Sequence, residues 1–295
     1  MYVVTGATGN TGRIVAERLL ENGQKVRVIG RSAERLQSLT KRGAEPFVAD
    51  MSSPSALSEA FNGARAVYVM IPPDMTAGNV RRYQNGITEA AAAAIEKAGV
   101  RHAVTLSSIG ADKVDQTGPV AGLHQMEERL NKVPGLNVLH VRAGYFMENS
   151  LAQLGIIKAL GKAAGPLHGD LKIPMIATQD IGAGVAEALI KLDFSGQQTR
   201  ELLGQRDISM SEVTTIIGSA IGKPDLEYVV LPKPVLVQSL KQMGMSDSAT
   251  LDILELASAL NSGHVHALEP RTAKNTTPTS FETFVKEQFV PAFKG

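Results

Sequence analysis

Glycine occupies every third position from 6 to 12 in the stretch Thr5-Gly-Ala-Thr-Gly-Asn-Thr-Gly12, which follows an apolar run and precedes Ile-Val-Ala-Glu-Arg-Leu-Leu. In a strand-turn-helix unit, one glycine permits a tight turn, another lets the backbone approach a diphosphate, and another lets the helix pack close to the sheet. The N-terminus of that helix offers unpaired N–H groups and partial positive charge to phosphate oxygens. We predict a dinucleotide cradle formed by Gly6, Thr8, Gly9, Asn10, Thr11 and Gly12. The spacing G-x-x-G-x-x-G differs from the usual G-x-G-x-x-G, so a connection that only turns the chain is the alternative.

Short β-branched runs alternate with helical segments through the first half of the chain. The pattern predicts strands at 2–5, 25–29, 46–49, 66–70, 102–107 and 137–141. It predicts helices between them at 11–21, 33–41, 54–61, 78–98 and 119–132, with Ser32 and Ser53 as N-caps of two of these helices. Strands that alternate with helices of this length form a parallel sheet with crossover helices. The predicted fold class is therefore α/β, a Rossmann-type doubly wound parallel sheet.

The regular alternation ends after residue 141, and a glycine-rich stretch follows at 161–169. A further helix is expected from Asp180, with that aspartate as its cap, and a strand at 201–203 is expected to return to the sheet. The rest of the chain predicts helices at 211–220, 234–243, 247–260 and 281–293 and one strand at 227–231. We assign residues 1–145, together with 180–204, to a dinucleotide-binding domain. Residues 146–179 and 205–295 are assigned to a smaller, mostly helical lobe that meets the substrate or a partner.

The residues after the second strand decide the choice of cofactor. An acidic residue at this position would bind the ribose hydroxyls of NAD, but this chain has Gly30-Arg31-Ser32 there. The guanidinium of Arg31 suits the 2′-phosphate of NADP, because the two groups match in charge and in geometry, and Ser32 lies beside it. We therefore predict NADP as the cofactor, with NADPH preferred and NADH as a second option. A solvated loop arginine is the alternative.

The ends of the third and fourth strands supply further candidate residues. Asp50 and Met51 follow the third strand, where the aspartate would accept a hydrogen bond from the adenine and the methionine would cover its ring. A helix-capping role for Asp50 is the alternative. Pro72 and Pro73 end the fourth strand and are expected to line the cofactor channel, and Ile71 before them is a further candidate for cofactor binding. A rigid loop is the alternative for the two prolines.

Composition excludes several classes of function. The chain has no cysteine, which excludes disulfides, zinc–thiolate sites and cysteine nucleophiles. Its net charge of +1 and the lack of a basic patch argue against binding to nucleic acid. No apolar run approaches the roughly 20 residues of a membrane span, and the first strand leaves no room for a signal peptide. We expect a cytoplasmic protein with no membrane partner. His264 and His266 have no further ligands near them in the sequence, so no metal is expected.

The glycine stretch and several later motifs are together similar to the NmrA-like family of atypical short-chain dehydrogenase/reductases. The motifs are Thr5-Gly-Ala-Thr-Gly-Asn-Thr-Gly12, Gly30-Arg31-Ser32, Thr105-Leu-Ser-Ser108, His124-Gln-Met-Glu-Glu128 and Val141-Arg-Ala-Gly-Tyr-Phe-Met-Glu-Asn149. The resemblance covers at least residues 1–190. It implies an extended Rossmann domain with a small C-terminal lobe, a preference for NADP and a substrate cleft between the two. It also implies that members of the family differ in function. Some relatives reduce quinones, triphenylmethane dyes, azo compounds or phenylpropanoid ethers, and others are regulators that sense nucleotides.

The chain departs from typical short-chain dehydrogenases in its proton donor. Those enzymes place a serine at the end of the fifth strand and a Tyr-x-x-x-Lys motif on the next helix. Here Ser107 occupies the serine region, but the helix presents His124 and Glu128 instead. We predict His124 and Tyr145 as candidate donors, and Ser107 as a residue that steadies the substrate or the nicotinamide carboxamide. The alternative for His124 is a helix histidine paired with Glu128.

The missing Tyr-Lys pair narrows the range of acceptors. Proton delivery to a simple carbonyl needs such a pair, whereas an acceptor whose negative charge is delocalised needs less help from an acid. We therefore predict an NAD(P)H-dependent oxidoreductase that transfers hydride to an electron-poor, conjugated small molecule, such as a quinone, an azo compound or a dye. The alternative is a non-catalytic NADP(H) sensor that acts through a protein partner. An apolar cavity at the nicotinamide position would favour the enzyme.

Overall fold

Strands and helices alternate through most of the chain, as the sequence pattern predicts. The computed structural model describes residues 1–295. Its strands are β1 (Tyr2–Val4), β2 (Val26–Gly30), β3 (Glu45–Val48), β4 (Ala66–Val69), β5 (His102–Ser108), β6 (Asn137–Ala143), β7 (Tyr145–Phe146), β8 (Ala163–Gly165), β9 (Lys172–Ile176), β10 (Gln197–Leu202), β11 (Asp207–Ser209) and β12 (Tyr228–Val230). Its helices are α1 (Asn10–Glu21), α2 (Ala33–Lys41), α3 (Pro54–Phe61), α4 (Val80–Ala98), α5 (Val120–Asn131), α6 (Gln153–Leu160), α7 (Thr178–Lys191), α8 (Met210–Ala220), α9 (Lys233–Gln242), α10 (Asp247–Asn261), α11 (Phe281–Phe284) and α12 (Val290–Lys294). A 3-10 helix at Met147–Ala152 precedes α6, and a π-helical segment at Val285–Phe289 joins α11 to α12.

Seven of the strands form one parallel sheet in the order β10-β6-β5-β4-β1-β2-β3. In its centre, Val3 of β1 pairs with Arg27 of β2 on one side and with Val67 of β4 on the other. Every residue of β1 and β4 is buried, which explains their uninterrupted apolar sequences. The chain winds outward from β1 to β3 and then returns to β4, so its direction reverses between β1 and β4. Ligands of such sheets bind at the carboxyl ends of the strands beside this reversal.

Helices cover both faces of the large sheet. Helices α1, α2 and α7 pack on one face through buried side chains such as Val15, Leu36 and Val185. Helices α3, α4 and α5 pack on the other face through side chains such as Phe61 and Met126. Full burial of a side chain of this size contributes roughly 1.5–3 kcal/mol. The predicted doubly wound α/β fold is therefore confirmed. None of the helices combines the length and the apolar composition that a membrane crossing requires.

Asp180 does not cap its own helix, and the sequence-based prediction for this residue is wrong. Helix α7 begins at Thr178 with Ala177 as its N-cap, and the Thr178 N–H donates to Glu148 Oε1 at 3.0 Å. Asp180 is buried and accepts from the backbone N–H and the hydroxyl of Thr279, at 3.0 and 2.7 Å. A carboxylate that fits a local capping pattern is thus used to hold a segment 99 residues further along the chain.

The remaining elements pack around a separate apolar core that includes Ile173, Phe281 and Phe284. Within this lobe, β11, β9 and β7 form a three-stranded sheet, and β12 pairs with β8. The sequence analysis predicted one strand here, at 227–231, and the structure has that strand at Tyr228–Val230. Strands β7, β8, β9 and β11 were not predicted. Each is only two to five residues long, and its partner is distant in sequence, so no local alternation marks it.

Candidate active site

Gly6 and Gly12 bring the first turn of α1 against the end of β1. Gly6 has a backbone φ of +60°, a left-handed conformation that glycine adopts without strain. A Cβ on Gly6 would lie 2.5 Å from Met70 Sδ, and a Cβ on Gly12 would lie 2.7 Å from the carbonyl carbon of Gly6. Neither position has room for a side chain. These two glycines therefore have the roles that the motif predicts, one for the tight turn and one for close packing of the helix.

The environment of Gly9 differs from that of Gly6 and Gly12. Gly9 is the exposed N-cap of α1, and a Cβ on Gly9 would meet only the carbonyl oxygen of Gly6, at 3.3 Å. No side chain caps this helix, and its first turn contains no acidic residue. The N–H groups of residues 10–12 therefore remain available to an anion, with the positive end of the helix dipole behind them. A diphosphate fits this cradle, because the backbone at Gly9 is bare.

Thr8 and Thr11 of the motif are held by neighbouring strands. The hydroxyl of Thr11 is hydrogen-bonded to the hydroxyl of Tyr68 at 2.9 Å, and both residues are buried. This contact holds the Thr11 side chain against the sheet, and the group that Thr11 offers at the helix N-terminus is its backbone N–H. The Thr8 methyl group packs at the end of β2, where a Cβ on Gly30 would lie 3.2 Å from it. Thr8 thus links the glycine turn to the strand end that precedes Arg31.

The residues predicted to bind the adenosine half of the cofactor lie after β2 and β3. Arg31 is exposed. Ser32 is the N-cap of α2, as predicted, and its hydroxyl accepts from the backbone N–H of Arg35. The position of Arg31 at the carboxyl edge, one strand away from the glycine turn, is suited to a phosphate at the far end of an extended dinucleotide.

Asp50 is held by its own turn. Its Oδ1 accepts from the backbone N–H and the hydroxyl of Ser52, at 2.8 and 2.7 Å. These hydrogen bonds hold the pKa of Asp50 below its usual value, and the positive charge of Arg31 lowers it further. The alternative of a helix cap is wrong for Asp50, because Ser53 is the N-cap of α3. Met51 is buried beside this turn.

A cavity of about 370 Å³ opens at the carboxyl ends of β4, β5 and β6. Its lining is largely apolar. The strand ends form one part of the wall, and α4, α5 and α10 form the rest. Four of the predicted site residues line it together: Ile71, Pro72, Ser107 and Tyr145. Met70 also lines the cavity and is the side chain that Gly6 abuts, so the cradle and the cavity adjoin. A larger groove of about 720 Å³ runs along α1 and α7, is mostly polar and contains none of the predicted site residues.

Ser107 is fixed from behind by a buried ion pair. Its hydroxyl donates to Glu127 Oε1 at 2.6 Å. Arg142 donates to both oxygens of the same carboxylate, from Nε at 3.0 Å and from Nη2 at 2.6 Å. The side chains of Glu127 and Arg142 are only 6% and 12% exposed. Because the O–H of Ser107 is directed at Glu127, what Ser107 can offer to a ligand in the cavity is its oxygen lone pairs.

Tyr145 lines the same cavity as Ser107. Burial raises the pKa of its phenol, and the side chain of Asn149 nearby lowers it by less. A raised pKa keeps the phenol protonated at neutral pH, so it can donate a hydrogen bond to a ligand. The backbone at Tyr145 pairs with Met175 of β9, and the small sheet of the second lobe therefore positions this side chain.

His124 lies on α5 but does not line the cavity. Its Nδ1 lies 2.9 Å from the carbonyl oxygen of Ala111 and donates to it. The predicted alternative, a pair with Glu128, is wrong, because the carboxylate of Glu128 instead lies 4.0 Å from the ammonium group of Lys132. The structure thus brings Ser107 and Tyr145 together and places His124 outside. A role for His124 in proton transfer stays a prediction that this geometry does not support.

The sequence of the chain matches one family over almost its whole length. The family described as "NmrA-like family" matches residues 2–285. The chain belongs to the NmrA-like family. The resemblance inferred from the sequence motifs is therefore confirmed, and it extends well beyond residue 190.

Several relatives of this NmrA-like chain have names that state an activity. The NAD(P)H azoreductase of Xenophilus azovorans is 30% identical over 274 residues, which cover 92% of this chain and 87% of that protein. The structure of a quinone oxidoreductase from Escherichia coli, NADPH-dependent and complexed with NADPH, has a TM-score of 0.82 at 22% identity and covers 98% of this chain and 100% of its own. The triphenylmethane reductase of Citrobacter sp., complexed with NADP(H), has a TM-score of 0.80 at 18% identity and covers 97% of this chain and 99% of its own. At these identities the two structures establish the shared fold.

The NmrA-like site also contains residues that the sequence analysis missed. Glu127 was not predicted, although it continues an apolar stripe of α5 through Val120 and Leu123, both of which line the cavity. A carboxylate on an apolar stripe of a helix is a signal that could have identified it. Asp252 of α10 was also missed, because no motif in the second lobe indicates which of its helices reaches the cavity.

Proposed function

We propose that this chain is an NADPH-dependent reductase that transfers hydride to an electron-poor, conjugated acceptor such as a quinone or an azo compound. The observation that carries the proposal is the largely apolar cavity at the ends of β4, β5 and β6, which adjoins the glycine cradle through Met70. A flat, conjugated molecule suits a cavity of this composition, because apolar walls favour its burial and exclude water. The names of the azoreductase and the quinone oxidoreductase support the same class of acceptor.

The residues of the cradle and of the strand ends would hold the cofactor. Backbone N–H groups of residues 10–12 would bind the diphosphate, and Arg31 would bind the 2′-phosphate. NADPH in this position supplies the hydride. Ser107, which lines the cavity, would accept from the carboxamide N–H of the nicotinamide or from the acceptor.

Tyr145 is the residue that we assign to proton or hydrogen-bond donation. Its phenol stays protonated, and it lines the cavity from the side of the second lobe. A hydrogen bond from this phenol would stabilise the negative charge that develops on an oxygen or nitrogen of the acceptor. Because a quinone or an azo compound spreads this charge over several atoms, a tyrosine without a neighbouring lysine is sufficient.

A panel of acceptors tests the proposal. Purified protein is mixed with NADPH, and loss of absorbance at the reduced nicotinamide band is followed with quinones, azo dyes and simple ketones. We expect turnover with the conjugated acceptors and little with the ketones. We also expect Tyr145→Phe to lower kcat by more than His124→Asn does. Tight NADPH binding without turnover of any acceptor would refute the reductase and favour the sensor.

A further inference from the structure

Two carboxylates line the cavity, and they differ in the hydrogen bonds that they accept. Asp74, in the loop after β4, accepts from the backbone N–H and the hydroxyl of Thr76, at 2.9 and 2.7 Å. Asp252, on α10, has a buried Oδ2 with no hydrogen-bond partner in the protein. A buried acceptor without a donor is unfavourable, because it loses its bonds to water and gains none in return. Asp252 therefore carries a charged group in this cavity wall with a buried oxygen that no donor of the chain satisfies.

The surroundings of Asp252 compensate its charge only in part. Arg81 of α4 is close enough to lower the pKa of Asp252, but its Nη2 donates to the carbonyl oxygen of Gly118 at 3.0 Å, its buried Nε has no partner, and it makes no ion pair with Asp252. Burial raises the pKa of Asp252 by more than Arg81 lowers it, and the charge of Glu255 raises it as well.

The backbone at Asp252 is held in place by the loop that precedes α5. A Cβ on Gly118 would lie 3.0 Å from the carbonyl carbon of Asp252, which shows how closely the loop before α5 packs on α10. Gly118 has a φ of +57°, a conformation that favours glycine and permits this contact. Gln84, which also lines the cavity, has its amide oxygen without a donor, while its amide nitrogen donates to Pro119. The polar atoms left unsatisfied in this wall are therefore acceptors.

We propose that Asp252 selects the acceptor, by accepting a hydrogen bond from an amino or hydroxyl substituent on the conjugated molecule that occupies the cavity. This proposal rests on the proposed reductase function and names the substrate class more closely. The preferred acceptors are aromatic compounds that carry a donor at the end remote from the reacting bond, such as amino-substituted azo dyes. The apolar walls bind the ring system, and Asp252 distinguishes a substituted ring from an unsubstituted one.

The test compares 4-aminoazobenzene with azobenzene on the wild-type protein and three variants. Asp252→Leu removes the acceptor atom, Asp252→Asn keeps one acceptor oxygen, and Glu255→Gln removes a charge from the exposed side of the same helix as the matched control. Two readouts are used: kcat/KM with NADPH, and the dissociation constant of each dye from the protein saturated with NADP⁺. Thermal unfolding of each variant confirms that it is folded.

The wild-type protein and Glu255→Gln should prefer the amino dye by about tenfold or more in both readouts, as expected for one hydrogen bond to a charged group. Asp252→Leu should lose this preference because its values for the amino dye fall, while its values for azobenzene stay the same. Asp252→Asn should keep part of the preference. An unchanged preference in Asp252→Leu, or none in the wild-type protein, would overturn the proposal. A binding preference that Asp252→Leu abolishes, without turnover of either dye or of a quinone, would support the site and refute the reductase.

Discussion

The buried pair of Glu127 and Arg142 allows a quantitative test of how the site is built. Glu127 receives three hydrogen bonds, two from Arg142 and one from Ser107, and both charged side chains are almost completely removed from water. Removing one member of such a pair leaves the other charge buried and uncompensated, which costs about 3–5 kcal/mol of unfolding free energy. A typical protein is stable by only about 5–15 kcal/mol, so either single substitution should be severe.

The substitutions are Glu127→Leu, Arg142→Met and the double variant. We expect each single variant to lose about 3–5 kcal/mol, with Arg142→Met the more damaging, because Glu127 is the more deeply buried partner. The double variant should lose less than either single variant, since it leaves no unpaired charge and replaces the pair by apolar side chains. Urea unfolding followed by circular dichroism measures all four proteins, and the double-mutant cycle gives the coupling free energy.

Losses that add in the double variant would refute this reasoning, because they would mean that Glu127 and Arg142 stabilise the fold independently. Single losses below about 1 kcal/mol would also refute it, since an exposed pair has that magnitude.

Three further predictions concern the cofactor and the core. Arg31→Ala should weaken NADPH binding by roughly 2 kcal/mol, about 30-fold, and leave NADH nearly unchanged; calorimetric titration that finds equal losses for both would exclude a contact with the 2′-phosphate. Gly9→Ala should weaken the binding of both NADPH and NADH and change the unfolding free energy by less than about 1 kcal/mol. Gly12→Ala should lower the unfolding free energy by roughly 1–3 kcal/mol, because its methyl group would overlap the preceding turn. A Gly9→Ala protein that is less stable than Gly12→Ala would contradict the assigned roles. Burial lowers the pKa of His140 to about 4 from an unfolded value of 6.5, so the unfolded state binds more protons between these values and stability falls as the pH drops. This effect should amount to about 2 kcal/mol between pH 7 and pH 5, and urea unfolding of His140→Gln should show a correspondingly smaller loss over that range.

The cofactor cradle could be predicted from the sequence because its requirements are local. Gly6 needs a left-handed backbone, and the atoms that exclude a side chain at Gly12 belong to Thr5 and Gly6; only the contact of Gly6 with Met70 is distant in sequence. Strands such as β4 could be predicted for a similar reason, since a buried parallel strand needs a continuous apolar run.

The chemistry of the cavity depends on tertiary packing and could be predicted only in part. Glu127 and Glu128 are adjacent on α5, and only the position of this helix on the sheet decides that Glu127 meets Ser107 and that Glu128 faces water. His124 was chosen because it replaces the tyrosine of a known motif, but its ring is bound to the loop after β5. Asp252 reaches the cavity from a lobe whose short strands pair over long sequence distances, so its contribution has no local signal.

The central claim is that one dinucleotide spans the glycine cradle and the cavity of this NmrA-like protein. A crystal structure of the protein with NADP⁺ tests it directly. We predict the diphosphate against the N–H groups of residues 10–12, the 2′-phosphate at Arg31, and the nicotinamide ring in the cavity beside Ser107 and Tyr145. A nicotinamide ring outside this cavity, or a diphosphate that makes no contact with the first turn of α1, would contradict the claim.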